Sequence, residues 1–457
     1  MPELRPALSR FDLTMIAIGS TIGSGIFLTP ALIAQSLPSA PLIFGVWIAG
    51  GVVALTGALT FAELASLLPR AGGVYVYLRE AYGPLAGFLY GWAYFLVVNT
   101  GGIAALSLAF ATYLGYFIPL GPSGIRTAAI IGLVLVTLLN IRGVKAGGVF
   151  SDIFTLLKLA GILLLIAAGI GWGSLRHIDF AAPLAGNAGG LGLSFAVAMV
   201  GVLWSYGGWQ HASFAAAEAR DPKRTVPFAM VAGSIVVVAV YLLANLSYMM
   251  LLPVPLIGGS SRVAADAMES VMGPAGGQVI AAAIFVSTFG TAGIYTLTAP
   301  RIYFAMARDG VFFRGLASLH PRYGTPALAI TVQTLWACAL ILFWGTFENL
   351  ISYVVFTDWI FFAFAAAGIF IIRERSPGIE RGFSTPGYPF TPVVFIAISV
   401  WFVVNTLISK PEQAWAGLFF LAAGVPVFIY WRRRSNREGG AKRAPDPKGQ
   451  NVFPPYP

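Results

Sequence analysis

Twelve apolar runs, each about as long as a bilayer is thick, follow one another along this chain and commit it to a membrane. They lie near 13–34, 43–66, 85–117, 125–141, 149–172, 191–217, 228–252, 276–306, 327–345, 350–372, 389–408 and 413–431. A helix of roughly 20 apolar residues spans a hydrocarbon core about 30 Å thick. The runs at 85–117 and 276–306 exceed one upright crossing, which predicts tilt or a re-entrant part. Composition agrees: of 457 residues 58% are hydrophobic and 10% charged, against about 25% charged in a soluble domain. A soluble fold of this size could not keep so much apolar surface out of water. The polar first ten residues lead into a glycine-rich run with no small-residue cleavage site, which argues against a cleaved signal peptide.

Lys and Arg set the expected orientation. With a cytoplasmic N-terminus, Arg126, Arg176, Arg262 and Lys410 fall outside and Lys158 falls within a span, while most of the 28 basic residues gather inside. That bias predicts a multi-pass protein of the cell inner (plasma) membrane, with both termini cytoplasmic and an even number of spans. The net charge of +10 is then a cytoplasmic fringe and calls for no nucleic-acid partner. The tail, with Arg432, Arg433, Arg434, Arg437, Lys442, Arg443 and Lys448 among Pro and Gly, reads as a disordered flank beside the bilayer. The single Cys338 excludes an intrachain disulfide.

In lipid, the informative residues are those a continuous helix would reject. Gly19, Ser20, Thr21, Gly23, Ser24 and Gly25 interrupt the first run, and each glycine costs a helix about 1 kcal/mol relative to alanine. Trp204-Ser205-Tyr206-Gly207-Gly208-Trp209-Gln210 interrupts the sixth. Opened backbone is tolerated at membrane depth only where it lines a cavity or binds something. Two breaks at equivalent places in two five-helix halves are the mark of an inverted-repeat carrier with a midplane site. One side of a broken helix offers free N–H groups and a positive dipole end to a carboxylate. The other side offers free carbonyls to an ammonium, so the pair of breaks suits a zwitterionic α-amino acid. Gly83, Gly87 and Gly91 read instead as close-packing positions.

Five motifs carry a resemblance: Gly23-Ser-Gly-Ile-Phe27, Pro69-Arg-Ala-Gly-Gly-Val-Tyr75, the Trp204–Trp209 break, Glu218-Ala-Arg-Asp-Pro-Lys-Arg-Thr-Val-Pro227 and Arg301-Ile-Tyr-Phe-Ala-Met-Ala-Arg-Asp-Gly310. Over residues 8–434 the chain resembles the amino acid–polyamine–organocation superfamily, in particular bacterial relatives of the L-type amino acid transporters. The resemblance implies an all-α polytopic fold of about 12 transmembrane helices, leucine-transporter-like, with spans 1 and 6 broken. Its parts would be a cytoplasmic segment 1–12, a first inverted repeat 13–172, a second 191–372, accessory spans in 389–431 and a basic tail 432–457. It implies that the Ser24 and Gly25 amides hold a substrate carboxylate, that the carbonyls of Thr21, Trp204 and Ser205 hold the amino group, that Gly207 belongs to the same substrate-binding set and that Trp204 gates the site. Where that family commonly has Asn, this chain has Gln210. Animal L-type transporters use a cysteine between spans 3 and 4; Pro119–Arg126 has none, so no disulfide-linked accessory subunit is expected.

Lys158 carries two readings. An ammonium at mid-membrane costs roughly 2.5–3.5 kcal/mol on insertion scales, so something must retain it. It either bridges helices, binding span 1 carbonyls and span 8 hydroxyls such as Ser287 or Thr288, or it stands in for a coupling ion as a fixed or titrating cation. Glu63, Glu218 and Asp309 lie near cytoplasmic span ends, where they either pair with Arg70, Arg224 or Arg308 or form a gate network. Asp358 lies inside span 10, where it could face the substrate path beside Gln210. His211 has no companion ligands, so no metal is expected, and no cofactor. No Ser-His-Asp, metal or paired-carboxylate cluster suggests an enzyme. The sequence therefore predicts a secondary transporter of neutral L-amino acids working by exchange. A proton-coupled symporter is the alternative within transport, and a channel or sensor the alternative outside it.

Overall fold

The structure is a computed structural model that describes residues 4–181, 190–343, 347–378, 381–409 and 411–438. Its helices are α1 (Arg10–Thr21), α2 (Gly25–Ser36), α3 (Ala40–Leu67), α4 (Val74–Tyr82), α5 (Pro84–Ala93), α6 (Asn99–Leu114), α7 (Pro122–Ile141), α8 (Val144–Trp172), α9 (Leu191–Tyr206) and α10 (His211–Phe214). They continue with α11 (Pro222–Leu251), α12 (Val254–Gly259), α13 (Val263–Met272), α14 (Pro274–Thr298), α15 (Pro300–Arg308), α16 (Ala327–Phe343), α17 (Phe347–Arg375), α18 (Phe390–Ser409) and α19 (Pro411–Glu438). Among the described residues nine helices are long and apolar enough to cross a membrane. Two shorter apolar helices, α9 and α16, and α19 cover the remaining runs. The chain is a multi-pass helical membrane protein. Residues 439–457 of the basic tail lie outside the described residues.

Local sequence explains the boundaries. Ser9 and Asp12 close a reciprocal capping box at the start of α1, with Asp12 Oδ2 accepting the Ser9 N–H at 2.6 Å. Pro84, Pro122, Pro222 and Pro274 each open a helix, where the missing N–H would have had no intrahelical acceptor. Neither long run is re-entrant. The third is a continuous crossing from Pro84 to Leu114 that widens into π-helix at Tyr94–Val98. The eighth runs to Arg308, with Pro300 dividing α14 from α15.

Burial ranks the crossings from centre to rim. The apolar window of Arg10–Ser36 is 89% buried within the protein, whereas that of Phe390–Ile408 is 28% buried. Span 1 is therefore the axis of the bundle, packed by α1 against α8, α11 and α14 and by α2 against α9. The α8 helix shows how the pattern places a charge. Ser151, Thr155, Lys158, Ile162, Leu165 and Gly169 are buried at helical spacing, while Ile153, Leu156, Leu157, Leu163 and Leu164 face outward to lipid. One face dissolves in the bilayer and the other carries Lys158 to the axis.

Candidate functional site

The first break falls where the glycines and hydroxyls accumulate. α1 ends at Thr21, the Ile22 N–H caps it on Ile18 O at 2.8 Å, and α2 begins at Gly25. The carbonyls that lose their helical donors find new ones. Lys158 Nζ donates to Gly19 O and Ile22 O, both at 2.8 Å, and to Thr291 Oγ1 at 2.6 Å. Thr291 Oγ1 also lies 3.0 and 2.9 Å from the same two carbonyls. The bridging hydroxyl on α14 is thus Thr291, and this corrects the expectation of Ser287 or Thr288. Ser287 sits on the same face one turn earlier and donates to Gly23 O at 3.1 Å, while Thr288 turns back on Ile284 O of its own helix. Each of the three ammonium protons therefore has an acceptor.

The second break is bound to the first. α9 stops at Tyr206, and Gly207–Gln210 lead into the four-residue α10 and a 3₁₀ turn at Ala216–Glu218. Ser20 Oγ donates to Gly208 O at 2.8 Å, Ser205 and Thr29 hydroxyls meet at 2.9 Å, and Trp204 Nε1 reaches Ser24 Oγ at 3.4 Å. A Cβ on Gly25 would lie 2.4 Å from Ser205 Oγ and 2.7 Å from its Cα, so the two half-helices touch backbone to backbone there. Gly208 is held at φ +129°, and a Cβ on it would meet Ser20 O at 2.4 Å. Both conformation and space therefore demand glycine. Gly208→Ala is expected to abolish uptake in protein that still reaches the membrane. Uptake within about twofold of wild type, measured on equal amounts of inserted protein, would contradict this close approach.

Among the described residues the amides of Ser24, Gly25 and Ile26 have no acceptor, and the Ser205 carbonyl has no donor. The Thr21 carbonyl is taken by the Gly23 amide at 2.9 Å and the Tyr241 hydroxyl at 3.0 Å. The Trp204 carbonyl accepts from the Gly207 amide at 3.3 Å. Beside the breaks lies a small cavity of about 30 Å³ whose wall includes Trp204, Gly207, Gln210, His211, Tyr94 and Asp358. Thr21, Ser24, Gly25 and Ser205 are not on its wall. The Gln210 side chain folds back to accept the Gly208 amide at 2.9 Å. Sequence reasoning missed the cavity's tyrosines. His211 is held between the Tyr94 hydroxyl at 3.0 Å and Thr298 Oγ1 at 2.6 Å and stacks on Tyr295 at 4.1 Å. Its position directly after the break was the available signal. Among the described residues no group of His, Cys, Asp or Glu is placed to hold a metal.

The three carboxylates at span ends choose partners distant in sequence, and this corrects the pairings with Arg70, Arg224 and Arg308. Glu63 is fully buried and takes Arg373 through both oxygens at 2.7 and 2.6 Å, with the Thr385 amide at 2.7 Å. Glu218 takes Arg301 at 2.7 and 2.9 Å. Asp309 accepts from the Tyr75 hydroxyl at 2.6 Å and from Arg79. Burial and the Asp309 carboxylate push the Tyr75 hydroxyl well above its ordinary pKa, so it remains the donor. Among the described residues the three carboxylates take different arginines, Arg373, Arg301 and Arg79.

A helical bundle that crosses the membrane many times, whose first and sixth crossings are both opened at one point beside a cavity, has the build of a secondary carrier. The chain belongs to the amino acid permease family, whose profile matches residues 8–430. It is 32% identical to the serine/threonine exchanger SteT of Bacillus subtilis (strain 168), over 93% of this chain and 96% of that one. It is 30% identical to the human b(0,+)-type amino acid transporter 1, over 91% of this chain and 86% of that one. With the human large neutral amino acids transporter small subunit 2 the identity is 31%, over 92% and 79%. The chain is an amino acid transporter and not an enzyme.

Proposed function

We propose that this protein exchanges neutral L-amino acids across the cell's plasma membrane by alternating access, with both termini in the cytoplasm and no disulfide-linked accessory subunit. The observation that carries the reading is the meeting of two opened helices. Amides of Ser24, Gly25 and Ile26 without acceptors lie on one break and the open Ser205 carbonyl on the other, with Trp204 and Ser24 hydrogen-bonded between them. Amides at a helix start attract a carboxylate, and a bare carbonyl attracts an ammonium. In this reading residues 13–172 and 191–372 are the two repeats that move against each other. Glu63, Glu218 and Asp309 then fasten the cytoplasmic side, and Lys158 occupies the place of a coupling cation. Exchange, in preference to net uptake, is favoured by the likeness to a serine/threonine exchanger.

Purified protein in liposomes loaded with one amino acid and challenged outside with each of the twenty tests this. Uptake of neutral amino acids is expected only when the lumen holds a transported amino acid, with no response to an imposed proton gradient. Accumulation into empty liposomes driven by that gradient would replace the exchanger with a proton symporter. Flux that fails to saturate would indicate a channel.

A further inference from the structure

At the rim of the bundle two stretches of chain far apart in sequence are stitched side by side. Ala7 and Leu8 donate their amides to Glu218 O at 2.8 Å, and the Arg220 amide returns to Leu8 O at 2.9 Å. The pairing gathers Arg5 and Arg10, at the start of span 1, with Arg220, Lys223 and Arg224, at the start of span 7, and all five are exposed. Among the described residues none of the five makes an ion pair or a side-chain hydrogen bond. The acids of the same stretches offset them little. Asp12 caps α1 through the Ser9 amide and lies beside Asp152 of α8, and Glu218 is committed to Arg301. Among the described residues of these stretches, that leaves Asp221 as the exposed acid beside five cations. The same rim faces lipid. Phe11 is 52% exposed, Phe228 48%, and Ile235, two turns beyond Phe228 on α11, 54%. Arg224 lies one turn before Phe228 and shares its face, and the Arg10 guanidinium sits over the Phe228 ring at 5.0 Å from its centre. Two arginines therefore flank an exposed ring of the kind that marks the boundary between headgroups and acyl chains. Basic clusters at the ends of spans attract anionic headgroups more strongly with each added Lys or Arg, and the guanidinium fork matches two phosphate oxygens at once.

We infer that the junction of residues 5–11 with residues 220–228 is a binding site for an anionic membrane phospholipid. Arg10 and Arg224 grip its phosphate, Arg5, Arg220 and Lys223 surround the rest of the headgroup, and Phe11 and Phe228 lie against the acyl chains. A zwitterionic lipid brings its own ammonium into the cluster and binds less well. The bound lipid bridges the starts of spans 1 and 7, and α1 leads from that bridge in 12 residues to the first break. The site is separate from the breaks and does not depend on which amino acid is carried.

Native mass spectrometry of the purified full chain, titrated with phosphatidylglycerol or with phosphatidylcholine, reads the binding without reference to transport. Wild-type protein should retain phosphatidylglycerol in preference to phosphatidylcholine. Arg10→Gln combined with Arg224→Gln should weaken the tightest-bound phosphatidylglycerol by about tenfold or more, since two cations leave the headgroup. Arg432→Gln combined with Arg433→Gln removes the same charge from the end of α19 and should leave that lipid in place. Hydrogen exchange locates the effect. In phosphatidylcholine vesicles, added phosphatidylglycerol should slow exchange at the Ala7, Leu8 and Arg220 amides, which hold the two stretches together. That measurement on wild type decides the matter if the Arg10/Arg224 variant does not insert. Equal retention of the two lipids, or exchange at those amides that ignores phosphatidylglycerol, would overturn the inference. Equal losses in the two double variants would overturn it as well, because the attraction would then belong to the whole basic protein and not to this junction. So would protection of the same amides by inorganic phosphate in vesicles of phosphatidylcholine alone, which would make the cluster a site for free phosphate.

Discussion

Lys158→Ala is expected to lower the exchange rate by about 100-fold while leaving the protein inserted. The ammonium makes three short hydrogen bonds, to Gly19 O, Ile22 O and Thr291 Oγ1, and all the groups involved are buried. Hydrogen bonds to charged groups are worth about 1.5–3 kcal/mol each. Losing the equivalent of one or two from the transport cycle reaches that factor, since 1.36 kcal/mol is tenfold in rate. After the change only the Thr291 hydroxyl, with a longer bond from Ser287 Oγ to Ile22 O at 3.3 Å, remains to serve the two carbonyls, so the first break should loosen from α14. The shape of the break, and not a contact with substrate, is what fails. Apparent affinity should accordingly change by different factors on the two membrane faces, which a single lost substrate contact would not produce. Lys158→Met, which keeps the stem without the charge, should behave like alanine. Wild-type kinetics in either variant would leave Lys158 a packing role only. A steep pH dependence in wild type that vanishes in Lys158→Met would instead make it a proton-carrying group.

Arg301→Met is expected to be the most damaging single change to stability, lowering the unfolding midpoint in detergent by about 5–10 °C. Arg301 and Glu218 are both buried, and the guanidinium meets the carboxylate through two bonds while also donating to Leu297 O. Removing one member of such a pair typically costs about 3–5 kcal/mol, because the other is left buried and charged. The damage should spread. The Glu218 carbonyl accepts the Ala7 and Leu8 amides at 2.8 Å, and the Arg220 amide returns to Leu8 O at 2.9 Å, so this turn ties down the N-terminal segment. Adding Glu218→Gln to Arg301→Met should recover part of the loss, because no unpaired charge then remains. A double variant as unstable as the sum of the two single ones would show that the pair is not coupled.

These cases divide what was legible in the sequence from what was not. Hydropathy and glycine placement are local properties, and they were enough for the membrane class, the crossing order and both breaks. The Gly19–Gly25 cluster cannot propagate a helix in lipid without penalty, whatever packs around it. Periodicity also held more than was drawn from it: Ser287 and Thr291 are four residues apart and share a helix face, whereas Thr288 is turned about 100° from Ser287. That spacing could have selected Thr291. Ion pairing was not legible in this way. Arg70, Arg224 and Arg308 are neighbours in the chain, yet Glu63 meets Arg373, Glu218 meets Arg301 and Asp309 meets Tyr75 and Arg79.

The sequence by itself determined that the chain crosses the membrane about twelve times, that crossings 1 and 6 are open, and that Lys158 and Asp358 lie at membrane depth. Each follows from what a residue costs in lipid, and that cost is set by composition within one or two helical turns. Only the tertiary structure decided that Lys158 has every proton satisfied and that Asp358 Oδ1 is buried without a hydrogen-bond partner among the described residues. Whether a buried charge is neutralised depends on which helices approach within about 3 Å of it. That approach is fixed by packing across more than a hundred residues of intervening chain, as with Lys158 and Thr291.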